Sequence, residues 1–382
     1  MQNRNRHTSS GHRTLLFGVL CLFGFCLLAQ KPVTGPQKKQ SAGTQAGQVK
    51  QSDKGKQSQQ PKSKVYLLHS DLLRKDSRHP DAQVVVGNVA FRHDSMYMYC
   101  DSAYYYDKIN SFEAFSNVKM EQGDTLFVYG DRLYYDGMTQ IAQVRENVRM
   151  ENRNTTLLTD SLNYDRLYNL GYYFDGGTLM DEQNVLTSEW GEYNPKTKQS
   201  VFNYNVKLVN PQFTLTSDTL RYNTATKIAD IVGPSDIYSD QNHIYSELGT
   251  YNTVTGKADL YNRSVITNEG KQLTGDTLFY DRNSGVGEAF SNMVMTDTIN
   301  KNMMTGDYGY YNDKTKYAFA TKKAVAVDYS QGDSLFLHAD TLMMVTFHLD
   351  TDSMFREMRA FHKVRFFRTD LQGTADSPVS YT

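Results

Sequence analysis

One short pattern recurs nine times along this chain, and it constrains the fold more than any other feature. It is an acidic residue followed four positions later by Tyr, and then by Asp or Asn. The acids are Asp101, Asp131, Asp160, Glu189, Asp218, Glu247, Asp276, Asp307 and Asp340, at spacings of 30, 29, 29, 29, 29, 29, 31 and 33 residues. Eight copies carry the tyrosine (Tyr105, Tyr135, Tyr164, Tyr193, Tyr222, Tyr251, Tyr280, Tyr311), and seven follow it with Asp or Asn (Asp136, Asp165, Asn194, Asn223, Asn252, Asp281, Asn312). Between acid and tyrosine the middle residue is often Leu, as at Leu133, Leu162, Leu220, Leu278 and Leu342. Apolar residues two apart are strand periodicity, and the Asp or Asn that follows supplies a turn. A unit of about 29 residues with two or three short strands cannot close a core of its own, so each copy must stack on the next.

A second strand signature lies about a dozen residues after the first in many copies. Asn117-Val118-Lys119-Met120-Glu121 and Asn147-Val148-Arg149-Met150-Glu151 are near-duplicates, echoed by Asn205-Val206-Lys207-Leu208, Asn292-Met293-Val294-Met295 and Lys363-Val364-Arg365-Phe366. The alternation puts Val118 and Met120 on a dry face and Lys119 on a wet one. The expected inner rows are Val118, Met120, Val148, Met150, Val206, Leu208, Val265, Met293, Met295 and Val325. They are either ordinary core or the lining of an open apolar trough for acyl chains, where Met adapts to flexible ligands. The repeated acids, each at the same place in its own repeat, read as turn and ladder-edge residues. The tyrosine row reads as a stacked aromatic ladder across strands.

The chain's N-terminal part differs. Arg4, Arg6 and Arg13 precede a 14-residue apolar run, Leu15 to Leu28, then Ala29. That is the layout of a secretory signal peptide over residues 1–29, shorter than the ~18 residues of a membrane span, although an uncleaved anchor is the alternative. Cys21 and Cys26 lie inside this run behind Leu20 and Phe25, where lipidation would need a small residue, so a cleaved chain keeps only Cys100 and forms no internal disulfide. Residues 30–64 are rich in Gln, Lys, Ser and Gly and read as a disordered basic linker, with eight Lys against Asp53. The leader carries +3 and the linker +7, whereas the remaining 30 basic and 41 acidic residues leave the body at −11. An acidic body argues against nucleic acid as a partner.

Catalytic signatures are missing from the sequence: there is no G-x-S-x-G elbow, no phosphate-binding G-x-x-x-x-G-K-[ST] loop and no H-E-x-x-H. The nine histidines are scattered without metal-ligand spacing. A polysaccharide-active β-helix enzyme would need acids out of phase with the repeat, so the expectation is no enzyme, no cofactor and no metal site. The domain expectation is a single all-β array over residues 65–382, an elongated stack of antiparallel strands. Its segment Asp370 to Tyr381 opens like a tenth copy, and either its final strand caps the array or the sequence is a shortened version of a longer protein, the second being the preferred reading.

The unit Gly130-Asp131-Arg132-Leu133-Tyr134-Tyr135-Asp136, repeated as Gly275-Asp276-Thr277-Leu278-Phe279-Tyr280-Asp281 and followed by the Asn-Val-x-Met strand, resembles the OstA-like family, which includes LptA and the periplasmic domain of LptD. The resemblance covers residues 65–382 and is nearest to long members of the Bacteroidetes type. It implies a β-jellyroll, or folded-over "taco", that holds the acyl chains of lipid A inside while carrying lipopolysaccharide through the periplasm to the outer membrane. It also implies partners of the same transport type joined edge to edge by strand pairing, and head-to-tail homo-oligomers. A structural or adhesive envelope repeat without a lipid ligand is the alternative function.

Overall fold

The computed structural model describes residues 63–240, 242–376 and 378–381. The signal peptide expected over residues 1–29 and the linker as far as residue 62 lie outside the described residues. Apart from one 3-10 turn at Asp107–Ile109, the described elements are antiparallel strands of a single 30-stranded sheet. Pairing follows the chain: Met96–Tyr106 pairs with Ser111–Gln122, then come Leu126–Asp136, Ile141–Asn152 and Thr155–Asp165 in turn. The repeat therefore builds an all-β, elongated β-jellyroll.

The sheet folds over because half of the long strands are bent at a corner of two left-handed residues, alternating with long strands that have none. Ser116-Asn117, Glu146-Asn147, Tyr204-Asn205 and Ser291-Asn292 all have positive φ, and the register shifts at each. Asn tolerates this conformation better than other side chains with a Cβ. The acids of the repeat hold these corners: the Asn117 amide donates to Asp101 and the Asn292 amide to Asp276, each at 2.7 Å, and Asn147 and Asn205 bind Asp131 and Glu189 likewise. Elsewhere the corner interrupts the strand altogether, as between Ile228–Ile231 and Ser235–Ser239. Every repeat thus contributes to two facing walls.

Corner geometry also sets which residues face inward. The first residue after a left-handed pair points into the core: Val118, Val148, Val206 and Met293 are all at most 2% exposed. At the pairs Asn262-Arg263 and Lys322-Lys323 that position falls on Ser264 and Ala324, which are buried. Val265 and Val325 come second, on the outward, half-buried face, which corrects their expected place in the inner rows. Ile266 and Ala326 are the inward residues there.

Opposite the corner the two walls meet along a lip, and the tyrosines close it. On one wall Tyr135 is in register with Ala142, Ala142 with Tyr164, and Tyr164 with Gly171. The alternation continues through Tyr193, Ser200, Tyr222, Ala229, Tyr251, Ala258, Tyr280, Gly287, Tyr311 and Ala318. A small residue between each two rings sets neighbouring tyrosines about 9.6 Å apart, two strand spacings. Among the described residues no two of this row are in ring contact, so the expected stacked ladder is replaced by a comb of separate rings. The Asp or Asn after each tyrosine closes its hairpin turn. Asn223, for example, accepts from the backbone N–H groups of Ala225 and Thr226 at 2.9 and 3.0 Å.

Each phenol of the early repeats reaches the strand end of the opposite wall. Tyr135 hydroxyl lies 2.6 Å from Nδ1 of His93, Tyr164 donates to Gln122 at 3.1 Å, and Tyr193 donates to Asn152 at 3.5 Å. Tyr222 donates to Asp181 at 2.8 Å and accepts from Asn184 at 2.8 Å. Lys227 neutralises the buried Asp181 at 2.8 Å. Burial pushes the Tyr135 phenol up to about 12, so it stays a protonated donor.

Two predictions follow from the clasp. Tyr222→Phe should cost about 1–3 kcal/mol, because Asp181 loses a buried donor, and a lowered urea midpoint would report it. At the other end, burial and then the Arg166 charge hold His93 below its ordinary 6.5. The folded state therefore binds fewer protons there, and its share of stability is complete above pH 6.5 and falls as pH drops below it. Melting temperatures of His93→Gln should decline less than wild type between about pH 6.5 and 5; parallel curves would refute this.

Candidate functional site

The walls do not stay clasped along the whole array. Tyr251 accepts from Arg282 at 3.2 Å on its own side, and among the described residues the Tyr280 hydroxyl has no hydrogen-bond partner in the structure. The Tyr311 hydroxyl donates to Asp313, at 3.0 Å. In the ninth copy the tyrosine position is Met344, which has no hydroxyl. The inner face of the last repeats is also trimmed: Ala320 and Ala360 stand buried at the place of Val144, Ala324 at that of Val148 and Ala326 at that of Met150.

Short side chains beside a thinned clasp leave space. A cavity of about 200 Å³ opens between the walls, lined by Met295, Met303, Met304, Met344, Met358 and Leu337 with Lys271 and Arg356 at its polar side. A narrower pocket of about 30 Å³ continues from it past Lys271 and Met295 to Leu273, Tyr280 and Tyr311. Thioethers on unbranched chains adjust to an apolar occupant of varying shape.

Of the expected apolar rows, Met295 alone lines this cavity. Met120, Met150, Val206, Leu208 and Met293 belong to the buried core at no more than 2% exposure. Val118 and Val148 are equally buried and border, from beneath, an open polar groove of about 880 Å³ at the corner. That groove is walled by Asp131, Asn147 and their neighbours, whose amide and carboxylate are already paired with each other. Val265 and Val325 face outward. Met304, Met344 and Met358 were missed by periodicity because Met304 and Met344 do not sit in the Asn-Val-x-Met strand. The signal that marks them is the alanine run Ala318-Phe319-Ala320 and Ala324-Val325-Ala326, together with Met in place of the ninth Tyr.

Charge at the cavity is arranged in two pairs and one exception. Arg356 lies 3.4 Å from Asp297, and Lys316 lies 2.7 Å from Asp313. Lys271, half-buried, donates to the Tyr311 hydroxyl at 3.2 Å, with its ammonium 5.6 Å from the ring centre. Burial, followed by the charges of Lys316 and Arg356, draws its pKa down, while burial and Asp313 push the Tyr311 phenol up. Among the described residues no three His, Cys, Asp or Glu side chains gather as metal ligands. Cys100 is buried, with its thiol pushed up to about 12 by burial, and is no nucleophile at neutral pH.

Filling the cavity offers a sharp test of its emptiness. Ala326→Leu should be tolerated or stabilising, by up to about 1 kcal/mol, whereas Ala229→Leu in the closed part should cost about 1–3 kcal/mol by overpacking. Paired urea titrations would show it, and equal losses would mean that the cavity is not real space.

Among curated proteins no match was found. Of the solved structures, the chain is similar to LptH of Pseudomonas aeruginosa, described as the LptA-homologous periplasmic component of a lipopolysaccharide transport device. The identity is 14%, the TM-score 0.25, and the alignment covers 26% of this chain and 76% of the other, a likeness too slight to bear on fold or function. The family model for OstA-like proteins matches residues 62–218. Those residues hold the first corners and clasps, so the stretch 62–218 is similar to OstA-like proteins, and the same unit runs on in phase beyond it.

Proposed function

We propose that this chain is a lipopolysaccharide-transport-type protein of the periplasm that shields lipid acyl chain on its way to the outer membrane, with the methionine-lined cavity as the shielding site. The observation that carries the reading is the place where the two walls part: a methionine-rich lining, a clasp reduced to the Lys271–Tyr311 bond, and space of about 200 Å³. Each CH₂ withdrawn from water there gains about 0.8 kcal/mol, so even a short stretch of chain is held usefully. The OstA-like match supports it, and so does the secretory layout of residues 1–29. Among the described residues no helix is long and apolar enough to cross a membrane.

Lipid A carries more chain than this cavity encloses, so shielding would be shared with neighbouring units. Strands Leu72–Asp76 and Leu371–Ala375 each pair on one side only among the described residues. Such edges accept a further strand from another envelope protein of this type or from a second copy. In this reading the region at residues 65–382 is one functional array, and it performs no chemistry on its cargo. The packed core from Val118 to Leu208 favours a second reading for that stretch alone, as a rigid spacer without lipid.

Photo-crosslinking in living cells distinguishes these. A photoreactive residue at Met304, Met344 or Met358 should give adducts with lipopolysaccharide, while one at Met120, Met150 or Lys119 should give none. Adducts nowhere would leave the structural-array reading; adducts at Met120 and Met150 would mean that the clasped part opens as well.

A further inference from the structure

We infer that Lys271 is a headgroup-reading residue, and that the cavity beside it takes a single-chain amphiphile with one anionic group, the anion on the Lys271 ammonium and the chain among Met295, Met304 and Met344. The inference rests on the reading above that this cavity holds acyl chain, and it adds which class of molecule fits and which residue selects it.

The charge at Lys271 is unbalanced. Ions withdrawn from water are ordinarily paired. Lys271 is half-buried on the wall shared by both cavities, yet its only polar partner among the described residues is the neutral hydroxyl of Tyr311. The three carboxylates that line the two cavities are committed elsewhere, Asp328 to the backbone N–H of Ser330 among others. Asp313 binds Lys316 and accepts from Tyr311, and Asp297 binds Arg356 and closes its own turn through the N–H groups of Ile299 and Asn300. An ammonium left in this way, with Lys316 and Arg356 adding positive potential, is complementary to an incoming anion.

The space next to it fixes the rest of the ligand. About 200 Å³ is below the range of roughly 300–1,000 Å³ that encloses a drug-sized molecule. It suits one flexible chain and excludes several side by side. A mainly apolar lining with a polar end, where Arg356 is paired with Asp297 and Lys271 has no carboxylate of its own, describes a fatty acid or a single-chain phosphate ester, whose shared chemistry is an anion at the end of one chain. Two uncharged features agree: the thioethers bend around a chain without fixed shape, and the narrow extension to Tyr280 continues the same apolar path.

The test is binding of laurate, dodecyl phosphate and 1-dodecanol to the purified protein by calorimetry, with Lys271→Gln, Lys271→Arg and wild type compared. Wild type should bind laurate or dodecyl phosphate at least about tenfold tighter than dodecanol, the yield of one charge-assisted hydrogen bond. Whichever of the two binds tighter names the headgroup. Lys271→Gln should erase that margin while dodecanol binding stays, and Lys271→Arg should keep most of it. Wild-type comparison of laurate with dodecanol stands even if a variant folds poorly. Equal affinity for laurate, dodecyl phosphate and dodecanol, or a margin that survives Lys271→Gln, would overturn the headgroup role and leave the chain-holding cavity standing. Inorganic phosphate displacing laurate at equal concentration would show a free-anion site and overturn the amphiphile. No binding of any chain would remove the cavity reading itself, and the headgroup role with it.

Discussion

The rest of the structure depends on the clasp between tyrosine hydroxyls on one wall and polar strand ends on the other. Hydrophobic burial alone brings the two walls together but does not fix their separation, since apolar attraction has no preferred direction. The phenols supply direction. Tyr135 to His93, Tyr164 to Gln122, Tyr193 to Asn152 and Tyr222 to Asp181 tie one wall to the other at residue separations of 41 or 42. Each rung is modest, about 1 kcal/mol for a neutral pair and more with a charge. Each also removes a polar group that would otherwise be buried unpaired, and four rungs in series set the core thickness for Val118 through Leu208. The corner sets the other side. With both sides specified there is no slack, and the interior packs as a solid.

The later repeats keep the corner and thin the clasp to the Lys271–Tyr311 bond. Lys323 pairs with Asp307 and Lys363 with Asp340, so the acid is still held, by a cation instead of an amide. Tyr251 and Tyr311 take partners on their own side, Tyr311 keeping one bond across the walls from Lys271, and alanine replaces bulk at Ala320, Ala324 and Ala326. The change is graded along the chain, from Tyr251 to Met344, and it needs no new element of structure. A repeat protein can thus open a cavity by relaxing a local rule over two or three copies, because each copy contacts only its neighbours.

Much of this was legible in the sequence. The phase of the acids and tyrosines revealed the array, the antiparallel strands and the Asx turns at Asp136 to Asn312. The Asn-Val-x-Met strands revealed the inner residues from Val118 to Leu208 with the correct facing. What escaped notice was a second row in the same phase: Ala142, Gly171, Ser200, Ala229, Ala258, Gly287 and Ala318, at intervals of 29, 29, 29, 29, 29 and 31. These residues keep the rings apart, and Gly171 shows why they must be small: a Cβ there would lie 3.0 Å from the Met150 sulfur. Small residues carry no propensity signal that marks them as core, so only register exposes them. Val265 and Val325 failed for a related reason. A corner of two left-handed residues resets the strand's alternation, and hydrophobicity alone does not show where the count restarts.

The same limit explains why the cavity was not foreseen where it lies. Periodicity identifies which residues face inward, not whether the facing wall reaches them. That depends on summed volume across two walls and on polar contacts between residues about 41 apart, neither of which a local pattern contains. The methionines of the closed part, Met120 and Met150, and those of the open part, Met304 and Met344, read alike in one dimension. Met120 is 2% exposed and Met344 9%, a difference produced by what stands opposite. Across from the closed methionines the wall carries Leu133, Leu162 and clasped tyrosines; across from the open ones it carries alanines and an ammonium without a carboxylate. The apolar stripe runs the length of the array, and the site is where its counterpart falls short.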